Sequence, residues 1–368
     1  MWDGGAWGRW GVALTLFSIL FAGWASARWI WRPRRSAEMV LNMSDFLPVR
    51  LLSRRQVSPD GFLFRFALEE PGMRLELPVG NHVVLRGPCG EKKEEGKRDM
   101  VQHSYTPISE KNAKGYVDFL IKVYFAGVNP KFPLGGRLTQ YLHSLCINDV
   151  IDMRGPIGRF EYLGNGRCKI GRRMAERTTV RVETLAMIGG GSGLTPLLQI
   201  IYAVRKDPSD TTKIILIYAN QTPEDILLRD ELDSIAQNSQ GMVKVWYTVD
   251  RNAPTDWPYD VGFINEEMLR AHLSIPQKLN DENLQTEKNE NGMKATGTNG
   301  ENSNKNGKDN NKWEEKTRSV LALVCGPHAM NQNAVVPNLE KMGYSKDDIF
   351  VLLITLYIYI YISFLPYR

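Results

Sequence analysis

Leu185-Ala186-Met187-Ile188-Gly189-Gly190-Gly191-Ser192-Gly193-Leu194-Thr195-Pro196 joins four apolar residues to a glycine-rich turn and then to a helix-forming run. The apolar block predicts a buried strand, and the spacing of apolar residues beyond Pro196 predicts a helix. Glycines let backbone approach a pyrophosphate, Thr195 can cap the helix, and Pro196 suits its first position. The N–H groups and dipole of such a helix start favour negative charge, which makes Gly190, Gly191, Ser192, Gly193, Thr195 and Pro196 candidate nucleotide ligands. Glycines also make plain tight turns; the strand before and the helix after are the context that favours a nucleotide.

Outward from that turn, strands and helices alternate. Further strands are expected at 213–219, 243–249, 320–324 and 349–352, with helices starting near Pro196, Glu224, Asn265 and Ala329. Alternation of this kind predicts parallel βαβ units and a doubly wound α/β sheet over 181–353. The strand at 320–324 ends in Cys325-Gly326-Pro327 at the same sheet edge as the glycine turn. A thiol there lies where such folds bind ligands, although a small buried cysteine under a turn would look the same.

Upstream, residues 46–163 hold short β-type runs at 62–68, 82–85, 116–125 and 150–153, punctuated by Gly and Pro. They predict an antiparallel barrel or sandwich. The boundary between the two regions is expected in the basic stretch 164–184. His103-Ser104-Tyr105-Thr106-Pro107 offers an aromatic ring and hydroxyls at a strand end. Lys131-Phe132-Pro133-Leu134-Gly135-Gly136-Arg137-Leu138-Thr139 is a second glycine turn into a helix, expected over 138–145. Two phosphate-type turns in two domains suggest a dinucleotide flavin, FAD, in one and a nicotinamide in the other.

The ends and inserts carry the bias of the whole. Forty-six Lys+Arg against 41 Asp+Glu give a net charge of +5. Residues 1–35 contain five arginines and one aspartate, and Arg368 adds one more positive charge, so the body between is neutral on balance and a nucleic-acid partner is not expected. Residues 10–27 are uncharged, long enough as a helix to span a hydrocarbon core, and followed by Arg28, Arg32, Arg34 and Arg35. They predict a transmembrane anchor within 1–35 with the rest of the chain in the cytosol. A cleaved signal peptide ending at Ala25-Ser26-Ala27 is the alternative. Residues 277–312 hold ten Asn, four Gly, six Lys and six acids, and predict a disordered insertion. The tail 354–368 contains Tyr-Ile three times in succession at 357–362 and reads as translated low-complexity DNA, or else as a second membrane helix. Four cysteines without a CxxC pair predict reduced thiols and no metal site. Ordinary apolar and charged fractions, 43% and 24%, exclude a wholly disordered, collagen-like or polytopic membrane chain.

Taken together, the segments Tyr105-Thr106-Pro107-Ile108-Ser109, Ile121-Lys122-Val123-Tyr124-Phe125, Pro130-Lys131-Phe132-Pro133, Gly135-Gly136, Arg154-Gly155-Pro156, Gly190 to Pro196, Asp225-Ile226-Leu227-Leu228-Arg229, Trp246 to Arg251 and Cys325-Gly326-Pro327 resemble the NADH-cytochrome b5 reductase family. The resemblance implies an FAD-binding antiparallel β-barrel domain followed by an NADH-binding α/β domain. It implies a hydride passed from NADH to FAD, and single electrons passed on to cytochrome b5 or a similar haem protein. A membrane site on the endoplasmic reticulum or mitochondrial outer membrane would follow.

By the same resemblance, Tyr105, Thr106 and Pro107 would meet the flavin ring, and Ile121, Lys122, Tyr124 and Phe132 the rest of FAD. Gly135, Gly136, Arg137, Leu138 and Thr139 would cradle the pyrophosphate. Ser192, Thr195, Cys325, Gly326 and Pro327 would meet the nicotinamide, and Asp250 the adenosine ribose, favouring NADH. Thr106, Lys122 and Cys325 would act at the reacting centre. Two departures stand out. His103 occupies the place of a phosphate-binding arginine, with fewer donors and little charge. Family chains usually end near the position of Leu352, so the tail would crowd the site. The basic residues Arg137, Lys169, Arg172 and Arg173 are candidates to steer an acidic partner. Two other readings remain: a reductase module of a multi-component enzyme, and an anchored interaction protein that has lost FAD.

Overall fold

The computed structural model describes residues 38–39, 41, 43–90, 98–110, 112–130, 132–171, 176–276 and 316–352, and all of these except Glu38 belong to one compact unit, 39–368. The predicted anchor, the insertion at 277–312, the tail at 354–368, and Arg172 and Arg173 lie outside the described residues. Among the described residues no helix is long and apolar enough to cross a membrane, and no cluster of metal-ligating side chains occurs.

The first half is a six-stranded antiparallel sheet built from β1 (Leu47–Gln56), β2 (Gly61–Ala67), β3 (His82–Cys89), β4 (Asp99–Tyr105), β5 (Tyr116–Lys122) and β6 (Val150–Ile157), in the order β4-β3-β6-β1-β2-β5. Period-two burial drives it: Phe64 and Phe66 on β2 are fully buried, Leu63 and Arg65 point outward, and Phe119 on β5 stands opposite Phe64. The predicted barrel is an open one. Strands β4 and β5 share no ladder, and the gap is crossed just past β4 by Ile108 N–H donating to the Asp118 carbonyl, 2.9 Å. One helix, α1 (Arg137–Ser144), follows the second glycine turn, and its carbonyl end is capped by the Arg54 guanidinium on His143 O and Leu145 O.

The second half contains β7 (Phe160–Gly164), β8 (Arg167–Ile170), β9 (Thr178–Gly190), α2 (Leu194–Lys206), β10 (Lys213–Asn220), α3 (Arg229–Gln237), β11 (Val243–Val249), β12 (Asp260–Val261), α4 (Glu266–His272), β13 (Lys316–Cys325), α5 (Val336–Lys341) and β14 (Ile349–Val351). Its parallel strands run in the order β12-β11-β10-β9-β13-β14. Alternate residues of β9 enter two cores. Leu185 and Met187 pack with Leu197 and Ile201 of α2, while Ala186 and Ile188 pack with Leu269 of α4 and Leu339 of α5. Helices on both faces make the doubly wound layer that the alternation predicts.

Within the basic stretch between the halves, residues 167–170 and 178–181 form a ladder. Strand β8 pairs antiparallel with β7 and with the first residues of β9, so the sheet runs continuously from Phe160 onward. Tyr162 and Thr212 both donate to the buried Asp210 carboxylate at 2.6 Å, which fixes β7 against the start of β10. The predicted helix near Glu224 is a single 3-10 turn, Pro223–Asp225; α3 begins only at Arg229, after Leu228 takes a left-handed φ of 54°.

Candidate active site

Strand order reverses between β9 and β13, and their carboxyl ends carry the glycine turn and Cys325-Gly326-Pro327 side by side. This is where open α/β sheets bind ligands. Gly191 takes φ +52°, and its carbonyl accepts the Tyr218 hydroxyl at 2.8 Å. Gly193 approaches β13 so closely that a Cβ would lie 2.0 Å from the Cys325 carbonyl oxygen. A 3-10 turn, Gly191–Gly193, leads into α2 at Leu194. Thr195 is therefore inside the helix rather than its cap, with its hydroxyl donating to Ser192 O at 3.3 Å, and Pro196 sits in the first turn, where no N–H donor is required.

A cavity of about 250 Å³ opens between this edge and the first half. Tyr105, Thr106, Ile121, Lys122, Tyr124 and Thr139 line it from the antiparallel sheet and α1; Ser192, Thr195, Pro196 and Cys325 line it from the parallel sheet. Two polar links cross it. The Tyr124 hydroxyl stands 3.4 Å from that of Ser192, and the Lys122 ammonium bridges Asp60 at 2.7 Å and Asp225 at 3.2 Å. Gln199 on α2 adds a further tie behind the wall, donating to the Pro107 carbonyl at 3.4 Å.

Burial sets the protonation of the walls. It pushes the phenol of Tyr105 and the thiol of Cys325 well above their usual ranges, so both stay neutral at physiological pH. It pulls His82, another lining residue, down to about 4, so its imidazole is uncharged. A thiol held protonated is a packing and shape-determining group here, not a nucleophile.

The other predicted residues sit around the cavity rather than in its lining. Pro107, Gly135, Leu138, Gly190, Gly191, Gly193, Gly326 and Pro327 belong to the turns and elements that carry lining residues. The N–H of Gly136 is already spent on the Tyr124 carbonyl, so the donors at the start of α1 are those of Arg137, Leu138 and Thr139. Arg137's guanidinium turns away, donating to Cys89 O and Asp99 Oδ2 at 3.1 Å. His103 pairs with Leu85 across β3 and β4, and neither it nor the 39%-exposed Phe132 lines the cavity. Asp250 lies at the end of β11, with Oδ1 buried and accepting no hydrogen bond; Arg251 Nε is 4.0 Å away. Sequence reasoning missed His82, residues 157–160 at the β6–β7 turn and the terminal strand residues Phe350 and Val351, all of which line the cavity; Leu352, where the resemblance ends the family's chains, lines it too. Only Arg154-Gly155-Pro156, just ahead of the β6–β7 turn, marks that turn in the sequence.

The arrangement suits two dinucleotides. An aromatic ring and a threonine stand at one wall beside the start of α1, and Ser192, Thr195 and Pro196 at the start of α2 stand at the other. These features define a flavin- and nicotinamide-dependent oxidoreductase of two domains. Comparison with known proteins agrees. The family model for an oxidoreductase FAD-binding domain matches residues 48–162, and that for an oxidoreductase NAD-binding domain matches 187–286. NADH-cytochrome b5 reductase 3 of Mus musculus is 40% identical over 304 residues, covering 82% of this chain and 85% of its own. NADH-cytochrome b5 reductase 2 of Homo sapiens is 38% identical over 82% of this chain and 93% of its own. Among solved structures, the cytochrome b5 reductase domain of Ulva prolifera nitrate reductase superposes with a TM-score of 0.67 at 34% identity, covering 84% of this chain and 98% of that one. The chain belongs to the NADH-cytochrome b5 reductase family of FAD- and NADH-dependent oxidoreductases.

Proposed function

We propose that this protein is a membrane-anchored reductase that draws a hydride from NADH and delivers single electrons to cytochrome b5 or a similar haem protein with an acidic surface. The observation that carries the reading is the shared cavity. Tyr105 and Thr106 from one half face Ser192, Thr195 and Cys325 from the other across a gap that both halves must complete. FAD, when bound, supplies the conversion of a two-electron donor into one-electron steps. The chain's own residues do the rest. The start of α1 would hold the flavin phosphates, the Gly191–Gly193 turn and α2 would hold those of NADH, and the apolar walls, including neutral Cys325, would exclude water from the crevice. Asp250, with an oxygen still to be satisfied, accepts from the adenosine ribose and repels a 2′-phosphate.

Residues 1–35 hold the protein to the cytosolic face of the endoplasmic reticulum or mitochondrial outer membrane in this account, with Lys169, Arg172 and Arg173 steering the partner. Arg137 contributes less to that steering, because Asp99 already pairs with it. A second reading, a reductase module in a multi-component system, draws on Nitrate reductase [NADH] 1 of Nicotiana tabacum, 37% identical over 83% of this chain but only 28% of its own length. Titration of the purified protein with NADH and NADPH, with cytochrome b5 as acceptor, tests the proposal. Turnover with NADH that is lost on omitting cytochrome b5 supports it, and an inert acceptor refutes that part. Asp250→Ala should raise the KM for NADH and narrow the preference over NADPH.

A further inference from the structure

Lys122 and its two carboxylates are not equivalent partners. Asp60 lies in the turn between β1 and β2. Its carbonyl accepts the Val123 N–H at 2.7 Å, Ser58 Oγ approaches its carboxylate at 3.4 Å, and the next residue, Gly61, is the register partner of Lys122 itself. Asp60 and Lys122 are therefore tied through one ladder of one domain. Asp225 belongs to the other domain, on the 3-10 turn after β10, and reaches Lys122 only across the crevice. The Lys122 side chain is 10% exposed, so an ammonium left without a counter-charge there would be costly. An ammonium has three donors, and two are committed to these carboxylates.

We propose that Asp60 is a positioning residue for the nicotinamide dinucleotide. It keeps the Lys122 ammonium paired and aimed at the crevice, so that Lys122 can exchange Asp225 for a hydroxyl or phosphate oxygen of NADH without losing its counter-charge. With Asp60 removed, Asp225 becomes the sole partner, and dinucleotide binding must break the only ion pair Lys122 has. The inference rests on the proposed site for NADH in this crevice, and it moves Lys122 from the FAD side, where the resemblance puts it, to the NADH side because its stem lies 3.8 Å from where a Cβ on Gly191 would stand.

A double-mutant cycle on the full-length, FAD-loaded protein tests it, with the Kd for NAD⁺ read by calorimetry and the limiting rate of flavin reduction by NADH read separately. Asp60→Asn, which keeps size and one acceptor oxygen, should weaken NAD⁺ binding about tenfold and leave the limiting rate nearly unchanged. Asp60→Glu should recover part of the loss. In a Lys122→Met background Asp60→Asn should have no further effect. An unaltered Kd in Asp60→Asn, or an equal loss with and without Lys122, overturns the proposal. Should Asp60→Asn fail to fold, Asp60→Glu carries the same cycle, and an effect independent of Lys122 is again the contrary result. An unmutated protein that holds FAD yet binds no NAD⁺ would overturn the proposed function instead, before any variant is compared.

Discussion

Gly189 and Cys325 are register partners on the adjacent parallel strands β9 and β13, at the point where the strand order reverses. From that pair the two turns diverge, one toward α2 and one toward the helical run that starts at His328. The crevice exists because these two turns leave the sheet in opposite directions while the antiparallel domain closes over them.

Close packing of those turns makes Gly193 intolerant of a side chain. A Cβ would meet Cys325 O at 2.0 Å and its carbonyl carbon at 2.5 Å, both backbone atoms that cannot swing aside. Gly193→Ala should lose about 1–3 kcal/mol of stability and weaken NAD⁺ binding together. Thermal unfolding with and without NAD⁺ checks both effects, and an unchanged melting temperature would contradict the packing argument.

The four cysteines should separate by reactivity. Cys146 is exposed, whereas burial pushes Cys89 up to about 11, Cys168 up to about 12 and Cys325 higher still. Thiolate is the reacting species, so one thiol should react quickly with a disulfide reagent at mildly alkaline pH and three only after denaturation. Mapping the first modified residue by mass spectrometry should return Cys146.

His82 makes stability depend on acid. Its folded value is about 4 against an unfolded value near 6.5, so between those limits the unfolded chain binds more protons. Its contribution is fully present above about pH 6.5 and is lost as pH falls toward 4, a change on the order of 3 kcal/mol. His82→Gln should flatten that part of the stability–pH curve, measured by denaturant unfolding from about pH 7 to about pH 4.5.

His103 stands two residues before Tyr105, on the edge strand β4. An arginine there brings a permanent charge and a planar set of donors, so His103→Arg should tighten FAD binding by about tenfold. Reconstitution of the apoprotein with FAD, followed by flavin fluorescence, measures it. Equal retention in both forms would show that His103 does not limit phosphate binding.

Much of this architecture is legible in the chain. The glycine turn at 189–193 with apolar residues before it, and the alternating Phe62, Phe64 and Phe66, announce two different sheet types without coordinates. Strand β9 is longer than its apolar block predicts because its first part, Thr178 to Glu183, alternates Val180 and Val182 with Arg181 and Glu183; that charged half reads as a boundary but is an amphipathic strand segment paired antiparallel with β8 and parallel with β13. Thr195 reads as a cap because the preceding 3-10 turn, which starts the helix early, has no signature beyond its glycines. The pairing of Lys122 has no sequence signal, although Asp225 itself opens one of the segments that carry the resemblance. Asp60 is an ordinary turn acid that the β2–β5 ladder sets beside Lys122, and only the closing of one domain on the other brings Asp225 to the same ammonium.

Bound FAD and its reduction by NADH are read in one spectrum. Full-length protein purified in mild detergent should be yellow, with flavin absorption bands that bleach when NADH is added without oxygen and return with oxidised cytochrome b5. A folded, colourless protein that takes up no FAD, or a yellow one that NADH leaves unbleached, would contradict the proposed function.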